Sequence, residues 1–273
     1  MPIECVANLS EGRDLPLVDH LASVCGVDLL DVHVDPDHHR SVFSMAGTDA
    51  ARRLATAAIA SIDLRHHEGA HPRLGVVDVV PFVPLDLNGE IASMDDALRA
   101  RDAFASWISE THGVPVFLYG PDRRTLPDIR RRAWRDLRPD TGPLDPHPTA
   151  GATCVGARDP LVAFNVWLEP GTPLATARTI ASAVRGDGIR ALGLALDDEV
   201  QVSMNLVEPG RVGPDQARDR VRVVADRLGA TIGRSELVGL VPTSVLGAIP
   251  RSRWTELDLS ADRTIESRWP ARA

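Results

Sequence analysis

The chain has 273 residues, 44% of them hydrophobic and 25% charged, with a formal net charge of −8. That length suits one large domain or two smaller ones, each with its own core. The acidic balance excludes generic nucleic-acid binding, which needs a basic surface to displace counterions, and no stretch approaches the ~20 apolar residues of a membrane span.

All 30 basic residues are arginine, which excludes a Schiff-base lysine mechanism. The N-terminal "MPIECVANLSEGRD" lacks the basic flank and apolar core of a signal peptide. Cys5, Cys25 and Cys154 are too scattered for a disulfide framework or a CxxC metal site. These features predict a cytoplasmic protein that acts on small molecules, without membrane or nucleic-acid partners.

In chain order, residues 2–9 alternate as a short strand and "SEGRD" turns. Asp14 is placed to cap a helix over 15–25, with Leu17, Val18, Leu21 and Val24 on one face and Gly26 as its stop. Strands are predicted over 27–34 and 40–47, then a helix from Thr48 to about Ile62. "LRHHEGAHPRLG" follows, a loop that packs His66, His67 and His71 into six residues ahead of the apolar strand "VVDVVPFVP". Ser93 and Asp96 make a capping box for a helix that ends at Gly113, and "VPVFLYG" is a further strand. The basic run 123–140 carries three Asp, which favours a solvated face or anion steering over nucleic acid.

The order then recurs. "LVAFNVWL" (161–168) is a strand, Thr172-Pro173 opens a helix to Arg185, and "IRALGLAL" with "VQVSMNLV" forms a hairpin about Asp197-Asp198. A helix from Pro214 to Leu228 stops at Gly229. Two related α/β (α+β type) subdomains with mixed sheets are expected, residues 1–160 and 161–273, joined through the Pro/Gly-rich 138–158. In "VQVSMNLV", Gln201, Ser203 and Asn205 share one strand face, while Val202, Met204 and Leu206 share the other. The apolar row should lie beneath helices. The polar row needs partners, because buried polar groups without them are costly. With helices outside, two polar sheet faces would look at each other across a cleft.

His71 sits where a permissive loop (Gly69, Gly75), stiffened by Pro72, feeds a buried strand. Such a histidine suits general acid–base work near neutral pH. His66 and His67 precede the turn and are expected to matter less. Arg73 either binds a carboxylate or pairs with Asp78 or Glu68.

Taken together, "ECVANLSEGRD", "HHRSVF", "HEGAHPRLGVVDVVPFVP", "RRTLPDIR", "GATCVGAR", "LVAFNVWL", "QVSMNL" and "SELVGLVP" resemble the formiminotransferase family over nearly the whole chain. That resemblance implies two α/β subdomains whose sheets face one another, helices outside, and a homodimer. It implies transfer of a formimino group from N-formimino-L-glutamate to N5 of tetrahydrofolate, with tetrahydrofolate as co-substrate and no metal. His71 stands at the family's catalytic histidine. Gly142, Pro143, Leu144, Asp145, Pro146, His147, Pro148, Thr149, Ala150 and Gly151 match its folate-binding stretch. Arg158 and Arg40 are candidates to hold glutamate carboxylates, and Asn8, Asn165, Ser203 and Asn205 to line the site.

This sequence departs from the family pattern at four places. His33 falls where the family carries an acidic site residue, and His39 where it carries Asn. Ala150 replaces an aromatic in the folate stretch. Trp167 replaces Asn and shares a strand face with Asn165. An imidazole for a carboxylate at His33 changes the charge offered to a cationic donor, so formyl transfer from a related donor stays open. So do a non-catalytic folate-binding relative and a divalent-metal site built from Asp31, His33, Asp35, Asp37, His38 and His39. The bifunctional family members carry a cyclodeaminase domain that this sequence does not contain.

Overall fold

The computed structural model describes residues 1–69, 73–87, 89–196 and 198–270. The expected catalytic His71 with Pro72, and the turn residue Asp197, lie outside the described residues. The chain divides into two compact units, Met1–Asp159 with the C-terminal Trp269 and Pro270, and Pro160–Arg268.

The first unit begins β1 (Ile3–Leu9), α1 (Leu15–Cys25), β2 (Leu29–Asp35), β3 (Arg40–Ala46), α2 (Asp49–Ser61) and β4 (Val77–Pro84). A two-residue hairpin, β5 (Asp86–Leu87) and β6 (Glu90–Ile91), leads to α3 (Met94–His112), β7 (Val116–Tyr119), α4 (Leu126–Arg132) and β8 (Thr153–Ala157). Its sheet runs β2-β3-β1-β4-β8-β7, antiparallel through the first four strands and parallel from β4 through β8 to β7.

The second unit holds β9 (Val162–Leu168), α5 (Leu174–Val184), β10 (Ile189–Leu196), β11 (Glu199–Leu206), α6 (Pro214–Arg227), β12 (Ile232–Val238), α7 (Thr243–Ala248) and α8 (Ile265–Arg268). Its sheet order β10-β11-β9-β12 repeats β2-β3-β1-β4 strand for strand. Each unit is thus built on one βαββαβ motif of ferredoxin-like order.

Local chemistry accounts for most boundaries. Asp14 accepts from the Leu17 amide at 3.0 Å, and Gly26 ends α1 at φ 64°. Ser93 and Asp96 close the capping box of α3, and Gly113 ends it in the left-handed region. Elsewhere the expectation is corrected. Gly26–Asp28 form a 3-10 turn, so β2 starts at Leu29. The Thr48 side chain makes no capping bond. Pro173 is the N-cap of α5 rather than its first helical residue, and the Thr172 hydroxyl donates to the Glu169 carbonyl at 2.7 Å.

The period-2 pattern sorts each sheet into two faces. In the first unit, Cys5, Ala7, Leu9, Phe43, Met45, Val80, Phe82, Val155 and Ala157 join α1, α2 and α3 in one core. In the second, Phe164, Val166, Val202, Met204 and Leu206 pack with α5 and α6. The apolar row predicted for β11 therefore does lie beneath helices. No described helix is long and apolar enough to cross a membrane.

Candidate functional site

The face of the first sheet turned away from α1–α3 is polar. Alternation along each strand gives it Glu4, Val6 and Asn8 from β1, Asp31 and His33 from β2, and Arg40, Val42 and Ser44 from β3. Asn8 and His33 both pair with Val42 from opposite sides, so they lie in one row two strands apart. Arg158 follows β8, its amide donating to the Phe82 carbonyl at 3.1 Å. Burial pulls its guanidinium below the usual range, against the pull of Tyr119 and Glu4. Three of the expected residues, Asn8, His33 and Arg40, are thus brought to one face.

The histidine loop is held at both flanks by the segment matched to folate binding. Before it, the Leu64 amide donates to the Thr149 carbonyl at 2.8 Å. After it, Val76 donates to Ala150 at 2.9 Å and Ala152 to Leu74 at 2.9 Å. The two glycines make this approach possible. A Cβ on Gly75 would lie 2.1 Å from the Ala152 carbonyl oxygen, and one on Gly151 (φ 69°) 2.2 Å from that of Leu74. His147 closes the turn: its Nδ1 accepts from the amides of Thr149 and Ala150, and its backbone pairs with Gly151 in both directions. Gly142–Pro146 is exposed, with Leu144 60% accessible between prolines.

A second set of contacts anchors the loop from the β2–β3 turn. His39, at φ 50°, stacks on His67 with ring centroids 3.9 Å apart. Its Nε2 faces a Glu11 carboxylate oxygen at 3.0 Å and its Nδ1 the Glu68 carbonyl at 2.9 Å. His67 Nε2 reaches the His39 carbonyl at 2.9 Å. Arg73 donates to the carbonyls of His67 and Gly69. His67 is therefore part of the loop's scaffold, a role its place before the turn concealed. His66 is exposed.

Burial opposes charge on Glu11, but the amides of Asp14 and Arg13, with His39, outweigh it and hold the carboxyl below its ordinary range. Asp35 is likewise lowered against burial by His38, which bonds it through both ring and amide. Two histidines of the open metal reading are each engaged with one carboxylate, His38 with Asp35 and His39 with Glu11. Among the described residues no three His, Cys, Asp or Glu side chains converge on a common point.

The basic run proves to be α4 and its flanks. Thr125 and Asp128 form a capping box, and Arg130 bridges to buried Asp78 at 2.6 Å. Arg124 pairs with Asp140 and Arg132 with Asp136. Asp78 thus spends its carboxylate on Arg130 and the Leu74 amide.

In the second unit, the face turned from α5 and α6 carries the predicted polar row. Ser203 pairs directly with Asn165, and Gln201 with Trp167. Glu236, on β12 opposite Asn165, accepts from Asn165 Nδ2 at 3.1 Å and from the Trp167 indole at 2.9 Å. The Arg234 guanidinium lies 3.9 Å over the Trp167 ring. Asn165 and Trp167 are buried, Ser203 is half-buried and Asn205 exposed. Glu11, Arg234 and Glu236 escaped the sequence reading. Glu11 sits inside a turn signal, and three consecutive polar residues in "RSELV" conceal a strand.

Residues 2–158 match the family described as "Formiminotransferase domain, N-terminal subdomain". A glutamate formimidoyltransferase of Streptococcus pyogenes serotype M1 is 36% identical over 89% of this chain and 90% of its own length. One from Thermoplasma acidophilum is 38% identical over 89% of each. The formimidoyltransferase-cyclodeaminase of Rattus norvegicus is 34% identical over 89% of this chain, which spans 51% of that relative.

Proposed function

Because this chain belongs to the formiminotransferase family, we propose that it transfers a formimino group from N-formimino-L-glutamate to N5 of tetrahydrofolate and releases glutamate. The observation that carries this reading is the pairing of the 149–152 stretch with both flanks of the histidine loop. It joins the segment matched to folate binding to the loop that bears the candidate acid–base residue. Residues 1–160 and 161–273 are then the family's N- and C-terminal subdomains.

Folate fits the exposed run that precedes this zipper. Leu144, flanked by Pro143 and Pro146, offers apolar contact for an aromatic ring on a rigid base, and this contact stands in for the aromatic that Ala150 replaces. Tetrahydrofolate supplies the N5 lone pair that adds to the formimino carbon. His71 accepts the N5 proton and then donates one to the departing glutamate nitrogen as the old C–N bond breaks. Arg158 and Arg40 hold the glutamate carboxylates, and Asn8 and His33 border the donor. Asn165, Ser203 and Asn205 are the hydrogen-bonding candidates of the second subdomain. The substrates are small molecules, no metal takes part, and the active protein is a cytoplasmic homodimer.

The test is turnover with tetrahydrofolate against formiminoglutamate, formylglutamate and 5-formyltetrahydrofolate in parallel. Formiminoglutamate is expected to be used most efficiently. Turnover with none of the three would overturn the reading.

A further inference from the structure

The turn from His147 to Gly151 is closed at its mouth by backbone bonds in both directions, at 2.8 and 3.0 Å. Inside it, Pro148 has no N–H to give, and the amides of Thr149 and Ala150 need an acceptor. The His147 carbonyl is already engaged by the Gly151 amide, and the Thr149 and Ala150 carbonyls point out of the turn to Leu64 and Val76. The imidazole supplies what the backbone of so short a turn lacks. Its Nδ1 lies 3.3 Å from the Thr149 amide and 3.0 Å from the Ala150 amide. Both donors are backbone N–H groups, so Nδ1 carries no proton and the ring proton sits on Nε2.

One peptide plane is thereby held at both ends. A trans peptide directs its N–H and C=O to opposite sides, and no described peptide bond is cis. In the Thr149–Ala150 peptide the N–H is on the His147 ring, and the C=O accepts from Leu64, where the chain enters the histidine loop, at 2.8 Å. The next carbonyl, that of Ala150, accepts from Val76 where the chain leaves the loop, at 2.9 Å. That carbonyl oxygen would lie 2.7 Å from a Cβ on Gly75, so the two segments meet with little slack. The ring therefore sets, from the far side, the plane of the peptide that receives the loop.

We propose that His147 is a positioning residue. Its ring orients the Thr149–Ala150 peptide, and through it the loop that carries His71, without itself touching folate. The consequence for turnover rests on the functional reading above, whereas the clamp itself rests on the turn alone.

The test uses the full chain with tetrahydrofolate and formiminoglutamate. His147→Leu keeps the bulk and removes the acceptor. His147→Asn brings back an acceptor, because a side-chain oxygen at this position reaches the amides that follow it, as in an Asx turn. His147→Leu should lower kcat about tenfold with little change in KM for tetrahydrofolate, and His147→Asn should recover most of that loss. Hydrogen exchange should report the same order, with the Thr149, Ala150 and Leu64 amides about fivefold less protected in His147→Leu and close to wild type in His147→Asn. In the wild type, ¹⁵N NMR of the neutral His147 ring should show the proton on Nε2.

A kcat that survives His147→Leu, or an Asn variant as impaired as the Leu variant, would overturn the proposal. So would a proton on Nδ1. A rise in KM for tetrahydrofolate with kcat unchanged would make His147 a folate contact instead. If the wild type turns over no formiminoglutamate, the functional reading fails and takes the catalytic consequence with it, while exchange and the ring tautomer still decide the clamp.

Discussion

The two units share a βαββαβ core and a polar sheet face, yet they build those faces differently. The first relies on loops. The histidine loop, the β2–β3 turn and the 147–152 stretch are tied together by backbone hydrogen bonds, a stacked histidine pair and close-approach glycines. The second relies on strand interiors, where Asn165, Trp167, Gln201 and Glu236 project from four-stranded pairing. A loop can present a proton-transferring group at a set position while adapting to reaction. A strand interior fixes side chains within the pleat and suits recognition. The division predicts that turnover fails when the loops of the first unit are altered.

The largest expected effect belongs to the first unit. His71→Ala should lower turnover roughly 10²–10⁴-fold while folate affinity changes little, as loss of one acid–base group does. Near-full turnover would reduce His71 to a loop residue and remove the contrast. Next comes the zipper. Gly75→Ala sets a Cβ against the Ala152 backbone, which cannot yield as a side chain would. We expect about 1–3 kcal/mol of destabilisation, read by denaturant unfolding, with turnover falling alongside. Unchanged stability would mean the two segments are not held in register.

A smaller effect tests selectivity inside the first unit. His33 lies on the polar face in one row with Asn8. An imidazole lacks the negative charge of a carboxylate and so attracts a cationic donor less. His33→Asp should shift relative kcat/KM toward formiminoglutamate over a neutral formyl donor by about tenfold, roughly 1.4 kcal/mol. An unmoved donor ratio at fixed pH and saturating folate would show that His33 does not select the donor.

The smallest effect is on acid stability. The Glu11 carboxyl titrates below its ordinary value in the folded protein. Its stabilising contribution is therefore complete above that ordinary value, about pH 4.3, and is lost as pH falls through the lowered folded value. Glu11→Gln should flatten stability across that acid window by about 1 kcal/mol and leave the neutral range nearly parallel to wild type. An identical acid profile would place the titration elsewhere, Asp35 being the neighbouring group lowered in the same way.

Much of the core was legible because its signals are local. Asp14, the Ser93–Asp96 box, Gly26 and Gly113 mark helix ends directly, and alternation in "VQVSMNLV" separates the two faces of β11. What escaped depends on distant partners. β8 is five residues long and contains Gly156, where a Cβ would fall 2.2 Å from the Tyr119 ring, so the very residue that allows the packing weakens the strand pattern. β12 carries Arg234, Ser235 and Glu236, whose polarity masks a strand until Trp167 and Asn165 are set beside it. α4 hid inside a basic run because its apolar stripe is little more than Ile129. The loop chemistry was the least legible. His67 was discounted by sequence position, but its ring is fixed by His39, 28 residues away. Glu11 reads as a turn residue until the amides around it are counted.

The most direct test of the account follows the transferred carbon. Formiminoglutamate labelled with ¹³C in the formimino group is incubated with tetrahydrofolate and the full chain, and both products are followed by NMR and mass spectrometry. The account predicts label at N5 of tetrahydrofolate, one glutamate released per label transferred, and loss of both signals together in His71→Ala. Glutamate release without labelled folate, or labelling that persists at the wild-type rate in His71→Ala, would contradict it.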